Sequence, residues 1–556
     1  MTRTITLPDV GNEPLIDWGN RQRDSFGKIT HTIRAFRESK MGDAFFPLIA
    51  GRPIQTSGHI FQSANPANPA EIIGRMHMAD DTTVDEAVSS VLKSDTIRGW
   101  AQMSLSRRAP YLRAVARELR KHRALLIALI MLEVGKSAPR ADAEVCEAID
   151  FLEHYAAYAE FLETIGDAML FSPKGEENRI LWKPSGGAMP ILASIQPWNF
   201  PVAISVGPAA AALVTGHAVL YKPAEQSSVI GFFLTRMFYE AGIPPELFHF
   251  LPGTGETVGR ALVAHPRVNA VAFTGSQVVR REIETSIRQW NENEWGLYAE
   301  GYAQKKGVAL ESGGKNAIIV FPDANLDRVI EDVSDSAFAF QGQMCSACSR
   351  LIVVCEAKTG GEKTYDEIVA RLKERMESFS IGSPEDPKHQ IGPLIDEAAM
   401  HKVNACMERA AREGTVLARG VPVPQNGGYY VSPMLVGDLS PQSETAQEEI
   451  FGPVLSVFKA KTYEEARRIA NGTNFALTGG VHARNPEKIA QVMHDMDVGA
   501  FYANKRTIGA MVGRQPFGGF RESGNGTKAG GWTYLLPFLK EVSVSRNTME
   551  CGIPLG

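Results

Sequence analysis

Met189-Pro-Ile-Leu-Ala-Ser-Ile195 runs directly into Gln196-Pro-Trp-Asn-Phe-Pro201. The first part is an unbroken apolar run, the pattern of a strand buried on both faces, and the second is a turn stiffened by proline. The pattern then repeats. His217-Ala-Val-Leu-Tyr221 leads into Lys222-Pro-Ala-Glu225, a third strand at 248–251 ends in Pro-Gly-Thr-Gly255, and a fourth, Ala270-Val-Ala-Phe273, ends in Thr-Gly-Ser276. Helical stretches separate them. Strand–helix alternation with a polar or glycine-rich turn at each carboxyl end predicts an α/β fold built on a doubly wound parallel sheet. Ligands of such sheets gather outside those ends.

Working outward, 556 residues exceed one core, so at least two large domains are expected. Hydrophobic residues make up 44% and charged residues 22%, the balance of a globular protein. A net charge of -5 gives no reason to expect nucleic acid or an anionic membrane as partner. Six irregularly spaced cysteines fit a reducing compartment. The start of the chain lacks an apolar signal core, and Asp9, Glu13, Asp17 and Asp24 are out of place in a transit peptide. No apolar run approaches the ~20 residues that span a bilayer. A cytoplasmic location is expected.

Residues 1–45 are polar and read as an arm lying on other structure. Phe45-Phe-Pro-Leu-Ile-Ala-Gly-Arg-Pro-Ile54 reads as a short hairpin closed at Ala50-Gly51. Helical spacing runs over 83–122, with Val84, Ala87, Val88 and Val91 on one stripe, and again over 124–162 with a break at 135–139. Residues 177–184 read as an exposed hairpin of the kind used in oligomer contacts. A second domain is expected from residue 307, with helices over 366–378, 397–413 and 463–470. The tail 513–531 is a glycine-rich wrapping loop, followed at 532–544 by an edge strand for a partner subunit.

Four positions invite chemistry, each with a plainer alternative, which for a glycine-rich turn is simply a turn. Phe273-Thr-Gly-Ser276 opens a helix whose N–H groups suit a pyrophosphate, although the G-x-G-x-x-G fingerprint is absent and Gly253-x-Gly255-x-x-x-Gly259 misses it by one residue. Glu225 either accepts hydrogen bonds from an adenine ribose, which would favour NAD over NADP, or is a solvated loop carboxylate. Glu311, between an apolar strand end and Gly313-Gly314, is either a part-buried general base or a loop carboxylate. Around Cys345 the sequence Ser336-Ala-Phe-Ala-Phe-Gln-Gly-Gln-Met-Cys-Ser-Ala-Cys-Ser-Arg350 passes from helical spacing into small residues. That thiol is an accessible nucleophile, an inert core group, or half of a pair with Cys348. No second Cys/His pair stands nearby at zinc spacing, so no metal site is expected.

Taken together, Pro197-Trp-Asn-Phe200, Lys222-Pro-Ala-Glu225, Phe273-Thr-Gly-Ser276, Leu310-Glu-Ser-Gly-Gly-Lys315, Gly342-Gln-Met-Cys345, Glu449-Ile-Phe-Gly-Pro453 and Pro516-Phe-Gly-Gly519 resemble the aldehyde dehydrogenase superfamily over nearly the whole chain. Within it, Cys345-Ser-Ala-Cys-Ser-Arg350, Gln515-Pro-Phe-Gly-Gly519, Ser523-Gly-Asn-Gly-Thr-Lys-Ala-Gly-Gly531, Asn12-Glu-Pro14 and Ala148-Ile-Asp-Phe-Leu152 resemble 1-pyrroline-5-carboxylate dehydrogenases. The resemblance implies an N-terminal arm (1–45), a Rossmann-type NAD-binding domain (46–165 and 186–306) and an α/β catalytic domain (307–512). It also implies a small β oligomerisation flap (166–185 and 532–556) and a wrapping loop (513–531).

By the same resemblance Cys345 is the nucleophile, Asn199 with the Cys345 N–H the oxyanion hole, and Glu311 the base that activates water. Lys222 and Glu225 would hold the adenine ribose, Ser276 the pyrophosphate, and Glu449 with Phe451 the nicotinamide ribose. Ile195, Pro197, Trp198, Gly255, Phe273, Thr274 and Gly275 complete the NAD set. Ser346 and the N–H groups of Gly509 and Ala510 would bind a substrate carboxylate, with Phe200 and Phe517 as aromatic walls. Glu147 is a partner for the substrate ammonium or a helix-surface carboxylate. The implied reaction is NAD-dependent oxidation of L-glutamate γ-semialdehyde to glutamate in a homo-oligomer; the same chemistry on another aldehyde and a non-catalytic relative are the alternatives. Three residues depart from the family pattern: Met344 replaces the usual lysine, Arg280 a glycine, and Ser312 an apolar residue.

Overall fold

In the computed structural model, residues 6–18, 22–56, 58–168, 170–293, 306–356 and 360–549 are described. Residues 1–5 and 19–21 of the expected arm, and 169 and 550–556 of the expected flap, lie outside them. Two seven-stranded sheets carry the molecule. The first runs in the order Gly307–Glu311, Ala270–Thr274, Ile191–Ile195, Ala218–Lys222, Phe248–Phe250, Leu48–Ile49 and Arg52–Pro53. Its first five strands are parallel. The last two form the antiparallel hairpin expected at Ala50-Gly51, where both residues take positive φ (47° and 77°). Chain order reverses between Ile191–Ile195 and Ala270–Thr274, so a crevice opens beyond their carboxyl ends.

The first sheet's strands are buried on both faces because helices cover them. Asp81–Leu92 packs inward the stripe read from the sequence, Val84, Ala87, Val88 and Val91, all fully or almost fully buried. Helix Ala138–Ala168 follows the break at Gly135, whose φ of 77° ends the preceding helix. The second sheet, in the order Thr415–Arg419, Met434–Gly437, Val454–Ala460, Cys348–Val354, Asn316–Val320, Thr478–His482 and Ala500–Ala503, is parallel except at its first pair.

Three expectations need correction. Gly307–Glu311 pairs with Ala270–Thr274 and so closes the first sheet, while Asn316–Val320 opens the second. The passage between sheets is therefore at 312–315, not at 307. Residues 177–184 are not a hairpin: Glu176–Pro184 pairs antiparallel with Leu539–Asn547 of the same chain in a two-stranded ribbon, so the edge strand expected over 532–544 begins at 539 and has one edge filled by its own chain. The arm contains helix Gln22–Ser39, which buries Ile29, Ile33 and Phe36. Its first stretch lies on helix Ala138–Ala168: Asn12 donates to Asp150 (2.8 Å) and to the Val512 carbonyl (2.9 Å), and the Glu13 N–H donates to Asp150 (2.6 Å).

Candidate active site

Cys345 stands where two cavities meet. One, about 260 Å³, lies in the crevice at the strand-order reversal and is lined by Pro197, Trp198, Asn199, Thr274, Gly275, Ser276, Glu449 and Phe451. The other, about 120 Å³, is lined by Glu147, Phe200, Glu311, Met344, Ser346, Gly509, Ala510 and Phe517. Cys345 lines both. One thiol thus faces a space framed by strand ends and a helix start, and a second framed by aromatic rings and donors.

The loop carrying the thiol is held tightly. It follows helix Leu326–Phe338 through Phe340 and Gln341, both at positive φ (47° and 57°), a costly conformation for side chains of that size. The Asn316 amide donates to the carbonyls of Cys345 (2.7 Å) and Ala347 (2.8 Å), and its oxygen accepts the Thr478 N–H (2.9 Å). Asn199 donates to the Gln343 carbonyl at 3.0 Å. An amide carries two N–H bonds, so one remains for an oxygen in the cavity. Burial, with Glu449 and Glu311 nearby, pushes the Cys345 thiol up to about 12, against a hydrogen bond from the Ser346 backbone. Cys348 is buried and its thiol meets the Arg350 carbonyl at 3.5 Å, a packing role.

Glu311 sits at the end of its strand with one carboxylate oxygen, Oε2, accepting the Gly519 N–H at 3.2 Å. The other, Oε1, is buried and has no partner. Burial pushes this carboxyl far above the usual range, which suits a group that takes a proton from water. A Cβ at Gly518 would collide with the Thr527 carbonyl oxygen and stand 2.5 Å from Oε1, so that glycine clears space for both. Gly313 does the same for Glu449, whose carboxylate accepts the Gly314 N–H at 2.9 Å.

The cofactor candidates divide. Pro197, Trp198, Thr274, Gly275, Ser276, Glu449 and Phe451 line the larger cavity, the last at a φ of 59° with its ring edge-on to Trp198. Lys222 is buried at the end of its strand and donates to the Pro223 carbonyl (2.9 Å) and Glu225 (3.2 Å). Gly255 begins the turn after Phe248–Phe250. Lys222, Glu225, Gly255, Ile195 and Phe273 do not line this cavity; the last two are buried in the sheet, Phe273 with its ring beneath Gly275. The crevice, a helix start at Gln277 and a buried lysine nevertheless fit a dinucleotide, whose pyrophosphate the helix start would favour.

All six substrate candidates, Glu147, Phe200, Ser346, Gly509, Ala510 and Phe517, line the smaller cavity. Glu147 is part-buried there, and burial with Glu144 nearby pushes its carboxyl up to about 8. Sequence reasoning missed the pair behind it. Lys136 bonds Glu144 at 2.6 Å and lies 3.5 Å from the centre of the Phe200 ring, while Glu144 caps helix Ala203–Thr215 through the Val202 N–H (2.8 Å). It also missed Asn316, although that residue directly follows the quoted Gly-Gly-Lys315.

Known proteins resemble this chain in sequence and fold. The aldehyde dehydrogenase family model matches residues 54–543. The 1-pyrroline-5-carboxylate dehydrogenase of Geobacillus thermodenitrificans is 36% identical over 508 residues, 91% of this chain and 94% of the relative. The structure of 1-pyrroline-5-carboxylate dehydrogenase from Thermus with bound NAD superposes with a TM-score of 0.88 at 35% identity, covering 98% of this chain and all of that one. Proline utilization A from Bdellovibrio bacteriovorus gives 0.89 at 35% identity; the chain covers 54% of that longer protein.

Proposed function

Because the chain belongs to the aldehyde dehydrogenase family, we propose that it oxidises L-glutamate γ-semialdehyde to L-glutamate with NAD as hydride acceptor, a step of proline breakdown. The observation that carries the reading is the position of Cys345 between a dinucleotide-shaped crevice and a cavity lined by Ser346, Gly509 and Ala510. Gly509 takes a φ of 76°, which turns the backbone at this loop so that its N–H groups can approach a carboxylate.

Cys345 loses its thiol proton to solvent, and Sγ bonds to the aldehyde carbon as the C=O π pair moves onto oxygen. The charge that grows on the aldehyde oxygen meets the free Asn199 N–H and the Cys345 backbone N–H. One such donor is worth roughly 3 kcal/mol of barrier. Bound in the crevice, NAD supplies the acceptor for the hydride that leaves this carbon, and a thioester remains on Cys345. Water then adds to the thioester, the C–S bond breaks, and Glu311 takes the proton from water. Lys222, Glu225, Ser276, Glu449 and Phe451 are the residues we assign to NAD. We assign the enzyme to the cytoplasm; among the described residues no helix is long and apolar enough to cross a membrane. Self-association is assigned to the ribbon of Glu176–Pro184 and Leu539–Asn547.

One observation favours a second reading. Among the described residues no lysine, arginine or histidine lines the smaller cavity, and Met344 is part of its wall. An amino-aldehyde without a carboxylate would suit such a wall. NADH formation measured with L-glutamate γ-semialdehyde, an amine-bearing aldehyde and a plain aldehyde decides between them. Preference for the amino-acid aldehyde supports the first reading; a rate no greater than that of Cys345→Ala on that substrate ends it.

A further inference from the structure

Arg280 and Ser312, two of the three residues that depart from the family pattern, converge on Glu522. Arg280 lies in the first turn of helix Gln277–Asn293 with only 4% of its side chain exposed, and pairs with Glu522 at 2.6 Å. Arg281 adds a contact at 2.9 Å and the Gln277 side chain another. Three side chains from one helix start therefore grip one carboxylate, and they hold it at about 2. The backbone of this acid is also engaged. The Glu522 carbonyl accepts the Ser312 hydroxyl, and the Ser523 carbonyl accepts the Ser312 N–H at 2.9 Å.

Ser312 follows Glu311. The segment beyond Glu522 runs antiparallel to strand Gly307–Glu311, with the Asn525 N–H donating to the Leu310 carbonyl (3.1 Å) and a bridge between Glu311 and Gly524. The same loop supplies the Gly519 N–H that orients the Glu311 carboxyl. The helix that does the gripping begins just past Gly275, whose own N–H donates to the Glu311 carbonyl at 3.2 Å.

We propose that Arg280 and Glu522 are positioning residues for Glu311: by anchoring loop 518–525 to helix Gln277–Asn293 they set the geometry of thioester hydrolysis and leave thioester formation alone. The proposal rests on the aldehyde-oxidation reading. Neither side chain touches a reacting atom. In the step they serve, the water oxygen bonds to the thioester carbon, the C–S bond breaks, the sulfur leaves as thiolate, and the proton goes to Glu311. Misplacing a reacting group by about an ångström costs up to a hundredfold, so a loosened loop should be visible in that step.

The test compares Glu522→Gln and Arg280→Gln with the wild-type enzyme in rapid-mixing NADH formation, together with acid-quenched mass measurement of acylated Cys345. The expected result is a preserved first turnover followed by steady-state turnover slowed roughly tenfold or more, with acyl-enzyme accumulating. Arg280→Lys, which keeps the charge, should recover part of the steady rate. Glu522, with 24% of its side chain exposed, tolerates the neutral amide if buried Arg280 does not. Equal slowing of both phases, or no change in either, overturns the proposal. A wild-type enzyme that forms no NADH would instead defeat the underlying reading, and the proposal with it.

Discussion

Replacing Glu147 by glutamine should penalise an aldehyde that carries an ammonium group and spare one that does not. Glu147 lies on helix Ala138–Ala168 three residues after Glu144, which is committed to Lys136 at 2.6 Å. The nearest cation is thus taken, and burial with repulsion from Glu144 leaves the Glu147 carboxyl at about 8. At pH 7 roughly one molecule in ten carries the charge, and near pH 9 most do. A hydrogen bond to a charged group contributes about 1.5–3 kcal/mol, and each pKa unit withheld takes back about 1.4 kcal/mol. The wild-type to Glu147→Gln ratio of kcat/KM should therefore be about one- to tenfold at pH 7, rising to roughly ten- to hundredfold near pH 9. Taking the ratio at each pH cancels the aldehyde's own hydration and cyclisation. The assay follows NADH for L-glutamate γ-semialdehyde and for the same chain lacking the amine. A ratio that stays flat with pH, or an equal loss on the amine-free aldehyde, would refute the reasoning.

Asn316→Ala removes three hydrogen bonds around the nucleophile loop, each leaving a buried group unpaired at about 1–3 kcal/mol. Turnover and the alkylation rate of Cys345 should both fall by more than tenfold, about 1.4 kcal/mol; alkylation at the wild-type rate would show that the loop is held by other contacts. Glu133 is buried, accepts from Ser63 (2.6 Å) and from the N–H groups of Val229 (2.9 Å) and Ile230 (2.8 Å), and is raised by burial from 4.5 to about 7. Because its folded pKa is raised, the native state holds more protons between those values. Stability contributed by this group is therefore present below about 4.5 and lost as pH rises towards 7, on the order of 3 kcal/mol. Comparing unfolding midpoints across that range, the wild-type profile should fall relative to that of Glu133→Gln; parallel profiles would count against this assignment.

Much of the fold was legible because parallel strands buried on both faces are unbroken apolar runs, and proline or glycine marks where each ends. Ile191–Ile195 and Ala218–Lys222 carry both signals. The stripe on Asp81–Leu92 was legible because its apolar residues recur at the i, i+3, i+4, i+7 spacing of one helix face. Helix Gln22–Ser39 was not: its buried residues Ile29, Ile33 and Phe36 are thinly spread among charges. The ribbon was misread for a different reason. Glu176–Pro184 has its hydrogen-bond partner in Leu539–Asn547, and a pairing across so much chain leaves no turn signal beside either strand. The base-bearing strand was assigned to the wrong sheet because an apolar strand looks the same whichever sheet it joins.

The same distinction runs through the site. Groups carried by the family's motifs were legible even where they meet across the fold, as Cys345, Asn199 and Glu311 do, and contacts that no motif announces were not: Lys136 with Phe200, Asn316 with Thr478, Arg280 with Glu522. The glycines link the two classes. Gly313 and Gly518 do not take positive φ, so neither is needed for an unusual backbone conformation. A Cβ at Gly313 would collide with the Glu449 carboxylate, and one at Gly518 with that of Glu311. The first glycine of each pair, Gly313 in Glu311-Ser-Gly-Gly-Lys315 and Gly518 in Pro516-Phe-Gly-Gly519, looks like loop flexibility but is clearance for an acid far away in sequence, with the second glycine's N–H as the donor that orients it. The two motifs fit together as mates: one carries the base and makes room for Glu449, and the other makes room for the base. Short glycine motifs could announce this chemistry because the distant partner leaves its shape in them as a missing side chain.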